Sequence, residues 1–193
     1  MRRILAALVA LMLALTAVGA LAEAAVDAST ETTDFGDFSM TYPADVTLEM
    51  AAKEENGVYF TLSSPAGEDG FTGNLSCVWS SEYEDFSGIE PQDLLDYVLE
   101  TFAGEAEGEG LIVTNVEGLN ADWLQLGGKK AVAVGYSYDV DYSQLGLDYQ
   151  TNLMCLSATV SDPAFGTYNF SITTDTAEGL NALAAVMDTI TWN

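Results

Sequence analysis

The sequence predicts an α+β fold built on an antiparallel β-sheet. Three observations predict it: a long hairpin over 130–160, shorter strand patterns on either side of it, and two stretches with helical periodicity. In the hairpin the large residues fall at every second position: Val132, Val134, Tyr136, Tyr138, Val140 and Tyr142. Ala131, Ala133, Gly135, Ser137, Asp139 and Asp141 lie between them. Successive side chains of a strand point to opposite faces, so this alternation gives a strand with two unlike sides. Ser143-Gln144-Leu145-Gly146 supplies the turn, and 147–160 returns with β-branched and aromatic residues. An even loop sets Tyr142 opposite Leu147, Val140 opposite Tyr149, Tyr138 opposite Thr151, Tyr136 opposite Leu153 and Val134 opposite Cys155. The other face then pairs Asp141 with Asp148, Asp139 with Gln150, Gly135 with Met154 and Ala133 with Leu156. One face is apolar nearly throughout; the second is apolar at its base and acidic at its tip. A one-residue slip would exchange the faces.

The remaining elements follow in chain order. Residues 1–22 read as an export signal, with Arg2 and Arg3, an apolar run over 4–18, and Ala20-Leu21-Ala22 as a small-x-small cleavage site. The run is short for a membrane span, and no cysteine adjoins the cleavage site, so no lipid anchor is expected. The mature chain is expected to be secreted, without membrane insertion: a flexible polar lead over 23–34, then one domain over 35–193. Strands are expected over 35–42, ended by Pro43, over 46–50 and 58–63, joined by a turn at 53–57, and over 74–80. A helix over 90–103 has Pro91 at its first position, Asp93 in its first turn, and Leu94, Leu95, Val98 and Phe102 as its buried stripe. A glycine-spaced acidic loop over 104–110 carries Glu105, Glu107 and Glu109. Strands over 111–116 and 123–126 precede Gly127-Gly128 and the hairpin, and the last strand covers 168–173. Asp175 and Glu178 form a capping pair for a final helix with Leu180, Leu183, Ala184, Met187 and Ile190 at helical spacing.

Composition bounds the function. The chain has 30 acidic residues, 5 basic ones and no histidine. Loss of the leader would remove both arginines and leave Lys53, Lys129 and Lys130. Such a surface repels phosphate backbones, so no nucleic acid is expected as a partner. It suits solubility, a basic protein partner or divalent cations. Cys77 and Cys155 both fall on expected strands; an exported protein permits a disulfide between them if the strands are neighbours. They serve equally as small buried apolar residues.

Several stretches in this order resemble the PsbP-like family, whose fold is shared with the Ran-binding Mog protein and with bacterial secreted members. They are Phe38-Ser39-Met40-Thr41-Tyr42-Pro43, Asn74-Leu75-Ser76-Cys77-Val78, the helix after Pro91, Gly128-Lys129-Lys130-Ala131, Gly166-Thr167-Tyr168-Asn169-Phe170-Ser171 and the closing Met187-Asp188-Thr189-Ile190-Thr191-Trp192. The resemblance implies an α/β/α sandwich, an antiparallel sheet flanked by helices on both faces. It also implies a non-catalytic binding or accessory module. No family metal-binding or partner-binding motif is matched, so no functional residue carries over.

Residue chemistry agrees with a non-enzyme. Without histidine the usual general base and the commonest transition-metal ligand are missing, and a Ser–His or Cys–His pair cannot be assembled. A carboxylate-based hydrolase, or a Ser–Lys pair using Lys129 or Lys130, is the reading left for catalysis; no catalytic residue and no required cofactor is assigned. Calcium is the sharper candidate, because hard cations take carboxylate and carbonyl oxygens. Asp139, Asp141, Asp148 and Gln150 converge at the hairpin tip in the expected register, where opposed like charges call for a neutralising ion. The spacing is not that of an EF-hand: counting from Asp139, Gln144 stands at the glycine position and Gln150 at the glutamate. The alternative is a strand end whose carboxylates splay into water. Tyr142 and Tyr149, nearest the tip, are the candidates for exposed aromatic anchors to a protein partner.

Overall fold

The computed structural model describes residues 20–21, 29–54, 57–63, 71–108, 112–146, 148 and 150–193. The expected leader lies outside the described residues, apart from Ala20–Leu21. The strands are β1 (Ala20–Leu21), β2 (Thr30–Asp34), β3 (Phe38–Pro43), β4 (Thr47–Met50), β5 (Gly57–Ser63), β6 (Phe71–Ser80), β7 (Ile112–Leu126), β8 (Lys129–Asp141), β9 (Gln150–Asp162), β10 (Gly166–Thr174) and β11 (Thr191–Trp192). Helix α1 spans Pro91–Gly108 and α2 spans Ala177–Met187. The main sheet runs β4-β5-β6-β10-β9-β8-β7, with β1 also on β6; a smaller sheet runs β11-β3-β2. All of these pairings are antiparallel. No helix among the described residues is long and apolar enough to cross a membrane.

The alternation along β8 divides the core in two. Val134, Tyr136, Tyr138 and Val140 join Leu153 and Cys155 of β9 in one buried cluster, to which α1 contributes Leu95, Val98 and Phe102. Ala131 and Ala133 belong to the other, with Phe170 and Ile172 of β10, Phe38 and Met40 of β3, and Leu183, Val186 and Met187 of α2. Phe102 packs against Tyr138 and Tyr136 at centroid distances of 4.6 and 5.4 Å, spacings at which tilted rings attract.

The hairpin pairs two residues later than an even tight loop requires. Tyr138 faces Leu153, Val140 faces Thr151, Asp139 faces Asn152 and Asp141 faces Gln150. The cause is the connection: Ser143–Leu145 coils into a 3-10 turn closed by Gly146 at φ 80°, which spends residues that a tight turn would leave in the ladder. Because the side-chain period is two, a two-residue shift leaves every residue on its expected face.

Other expectations are corrected. Residues 30–34 are not part of a flexible lead; they form β2, whose threonines reach across the ladder, Thr32 Oγ1 to Thr41 Oγ1 at 2.9 Å and Thr33 Oγ1 to the Tyr42 hydroxyl at 2.7 Å. The acidic loop expected over 104–110 is helical as far as Gly108, since alanine and glutamate favour helix enough to carry its glycines; Glu109 lies outside the described residues. The two strands expected over 111–116 and 123–126 are one, β7. Its register shifts twice, between Thr114 and Glu117, where Asn115 has φ 52°, and between Gly118 and Asn120, and the strand continues through both bulges. Gly118 in one bulge lies against α1, where a Cβ would come within 2.9 Å of Leu95 Cδ2. The cap of α2 is Thr176, whose Oγ1 accepts from Gly179 N at 3.1 Å, rather than Asp175. The cysteines are both free and buried. Cys77 belongs to the cluster of α2 and Cys155 to that of α1, with β10 between their strands. Opposite faces of a sheet cannot be bridged within disulfide reach.

Candidate functional site

The tip of the β8–β9 hairpin, with the start of β7 beside it, borders an open groove of about 580 Å³. Ile112, Thr114 and Asn115 line it from β7, Val140 from β8 with Asp139 and Asp141, and Gln150, Thr151 and Asn152 from β9. Ile112 is 38% exposed. Asp139 accepts from Asn115 Nδ2 at 2.6 Å and from Asn152 Nδ2 at 2.9 Å. Asp141 accepts from the backbone N–H of Ser143 and from Gln150 Nε2, both at 2.8 Å. Amide donors hold Asp139 below the ordinary carboxylate range; the Ser143 N–H and then Gln150 do the same for Asp141.

The four expected cation ligands are therefore placed as follows. Asp139, Asp141 and Gln150 come together in the groove, but Gln150 presents an N–H to Asp141. Asp148 is exposed in the connection and does not oppose Asp141. The like-charge pair that argued for a neutralising ion does not form in this register; an aspartate–glutamine pair takes its place. Among the described residues no three Asp, Glu, Cys or His side chains group as a metal site. Tyr142, expected as an exposed anchor, is instead 7% exposed and packed in the cluster beneath α1. Its place in the alternation of β8 carries it inward past the last ladder residue. Tyr149 lies outside the described residues.

Several titratable groups are moved from their ordinary values by burial or hydrogen bonds. Partial burial works against ionisation of Asp37, but hydrogen bonds from Lys53 and Tyr168 outweigh it and lower its pKa. Lys129 does the same for Asp162. Burial raises Tyr136, Tyr138, Tyr168 and Cys77, and pushes the Cys155 thiol up to about 11.

Sequence reasoning missed two groupings. Buried Asn169 donates through Nδ2 to Ser157 Oγ and Thr159 Oγ1, both at 2.7 Å, while its carbonyl accepts from Ser171 Oγ at 2.6 Å. The signal was there in 168–173, where small polar residues alternate with Tyr168, Phe170 and Ile172. The second grouping is the placement of the lysines. Lys53 sits over Trp79, Tyr168 and Tyr59, Lys129 over Phe165 and Trp192, and Lys130 over Trp123. No spacing in the sequence announces these contacts: Lys53 reaches Trp79 and Tyr168, and Lys129 reaches Phe165 and Trp192, across long stretches of chain.

No family model matches the sequence, nor does any curated protein sequence. Among solved structures, cyanobacterial PsbP (CyanoP) from Synechocystis sp. PCC 6803 matches with TM-score 0.59 at 15% identity, covering 90% of this chain and 99% of that one. The Ran-binding protein Mog1p of Saccharomyces cerevisiae matches with TM-score 0.47 at 12% identity, over 85% of this chain and 95% of that one. LpqN, involved in cell envelope biogenesis of Mycobacterium tuberculosis, matches with TM-score 0.42 at 16% identity, over 84% and 90%. With the antiparallel sheet, its strand order and the likeness to CyanoP in hand, the chain has the PsbP-like fold.

Proposed function

We propose that the chain from β2 onward, the expected domain of 35–193 together with that strand, acts as one exported, non-catalytic binding or accessory domain, an α/β/α sandwich with a helix on each face, that engages a protein partner at the hairpin-tip groove. One observation carries the reading: the groove sets two hydrogen-bonded, ionised carboxylates, Asp139 and Asp141, beside exposed Ile112. Charge next to an apolar anchor suits a segment carrying both cationic and apolar side chains. The lysines give this surface little competition, since Lys53 and Lys129 are paired with Asp37 and Asp162. Asp139 and Asp141, held ionised by their hydrogen bonds, suit charge recognition, because an acid–base catalyst works best with a pKa near the ambient pH. Export rests on the leader-like pattern of 1–22.

A labelled peptide of alternating lysine and leucine is the probe. We expect saturable binding by fluorescence anisotropy, weakened roughly tenfold when Asp139→Asn and Asp141→Asn are combined, a loss of about 1.4 kcal/mol. If Asp93→Asn with Asp96→Asn on the outer side of α1 weakens binding as much, the contact is not at the tip.

The second reading is a calcium site of Asp139, Asp141, Asp148 and Gln150, favoured by two ionised carboxylates facing one groove. It requires the amides of Asn115, Asn152 and Gln150 to give up their bonds to the aspartates. Thermal melts in calcium and in magnesium at matched ionic strength separate the readings. A rise in calcium alone, abolished by the double asparagine variant, establishes the site; equal shifts in both ions leave the peptide reading in place.

A further inference from the structure

Lys53 stands in the connection after β4 with its ammonium among three aromatic rings. Nζ lies 4.5 Å from the ring centroid of Trp79, 5.2 Å from that of Tyr168 and 5.8 Å from that of Tyr59. It donates to Asp37 Oδ2 at 2.6 Å. Each ring carries a hydrogen bond to a group other than the lysine. The Tyr59 hydroxyl donates to the Phe35 carbonyl at 2.6 Å, Trp79 Nε1 to the Phe165 carbonyl at 2.8 Å, and the Tyr168 hydroxyl to Asp37 Oδ2 at 2.7 Å. The rings come from three adjacent strands. Trp79 is the ladder partner of Tyr168, and Tyr59 stands at the β5 bulge between Val58 and Phe60.

This receptacle is wide for its occupant. Lys130 shows a primary ammonium in close contact with a ring, 3.6 Å from the centroid of Trp123. Lys53 approaches no ring so closely. The distances to its three walls leave the space that methyl groups on the nitrogen would fill, and aromatic faces attract methylated ammonium groups through their quadrupoles. Asp37 supplies the opposite charge. The side chains of Lys53 and Asp37 are 29% and 35% exposed, so an incoming cation displaces a surface side chain and leaves the core intact.

We propose that Tyr59, Trp79, Tyr168 and Asp37 form a receptor for a small quaternary ammonium ligand, with Lys53 as its resident competitor. The site is separate from the hairpin-tip groove, and its failure would leave that reading untouched.

The probe is tetramethylammonium chloride, titrated against sodium chloride at the same ionic strength and followed by the indole N–H resonance of Trp79. The Lys53→Ala protein is expected to bind saturably and about tenfold more tightly than the parent chain, since the competitor is gone. Lys53→Gln, which keeps the alkyl stem and loses the charge, is expected to fall between them. Adding Asp37→Asn to Lys53→Ala is expected to weaken binding again. The proposal is overturned if neither Lys53 variant gives a saturable shift, or if Asp37→Asn leaves the affinity unchanged. Loss of the native spectrum in both Lys53 variants also overturns it, because the walls must stand without the lysine.

Discussion

Tyr138 carries its hydroxyl into the core of the α1 cluster, and that oxygen is buried without a hydrogen-bond partner. The Cys155 thiol is near enough to add to the rise in its pKa, after burial itself, yet a thiol is a weak replacement for water. Removing an unsatisfied buried group relieves its desolvation cost. Tyr138→Phe is therefore expected to raise stability by about 1 kcal/mol, read as a higher urea midpoint with an unchanged slope. Asn169 is the opposite case. Its side chain satisfies Ser157, Thr159 and Ser171 at once, so Asn169→Ala strands three buried hydroxyls. A loss of about 3 kcal/mol in the same measurement is expected; no loss would mean that those hydroxyls find other partners. For the cysteines, burial keeps both as thiols. Iodoacetamide is expected to label neither in the native protein and both in denaturant, and a non-reducing gel to show no shift on reduction.

At the scale of the element, the β7–β8 hairpin turns at Gly127-Gly128, with φ of 58° and 84°, the left-handed values that suit a two-residue turn. Gly127 also touches the closing strand: a Cβ there would stand 2.5 Å from the Ile190 carbonyl oxygen and 2.8 Å from Trp192 Cδ1. Gly127→Ala combines an unfavourable backbone with a collision. It is expected to cost about 2 kcal/mol or more, whereas Gly128→Ala, with nothing within 4 Å, pays for the backbone alone and should cost less. Elements of this kind show what is legible in the chain. The alternation of 132–142 disclosed β8 and the two faces of its side chains, because period two is a local property of the residues. The stripe of Leu95, Val98 and Phe102 disclosed α1 for the same reason. Register was not legible, since it depends on how many residues the 3-10 turn after Tyr142 consumes. Nor was the continuity of β7, where Gly118 and Asn120 read as a break in isolation but sit at bulges once β8 and α1 supply the neighbours. At the hairpin tip the residue types were visible and their partners were not, so Asp141 was set against Asp148 when Gln150 faces it.

For the molecule as a whole, a formal charge of −25 makes self-repulsion a term in stability. Added sodium chloride is expected to raise the melting midpoint at neutral pH, steeply at low ionic strength and then levelling as the Debye length shrinks; a flat response would show that repulsion is equal in the unfolded chain. Acid acts through particular groups. Hydrogen bonds hold Asp37, Asp139, Asp141 and Asp162 below the ordinary carboxylate value in the folded protein. Depressed folded values contribute stability that is present above the ordinary value and disappears as pH falls through the lower folded values. Equilibrium unfolding between pH 5 and 2, as approximate limits, should therefore show a decline concentrated below the ordinary value, diminished in the Asp37→Asn protein.

The closing strand has one more consequence. Trp192 stacks on Phe165 at 4.6 Å and donates to the Leu126 carbonyl, while the backbone N–H of Asn193 donates to Asp37 and its side chain to Gly36 and Asp34. The turn between β2 and β3 is thus completed by residues more than 150 positions later. During synthesis that early turn lacks these partners until residues 192–193 have been made. Until then Phe38 lacks Trp192 beside it and β3 lacks β11. The β2–β3 turn and the Phe38 ring therefore reach their full set of contacts only when residues 191–193 have joined them.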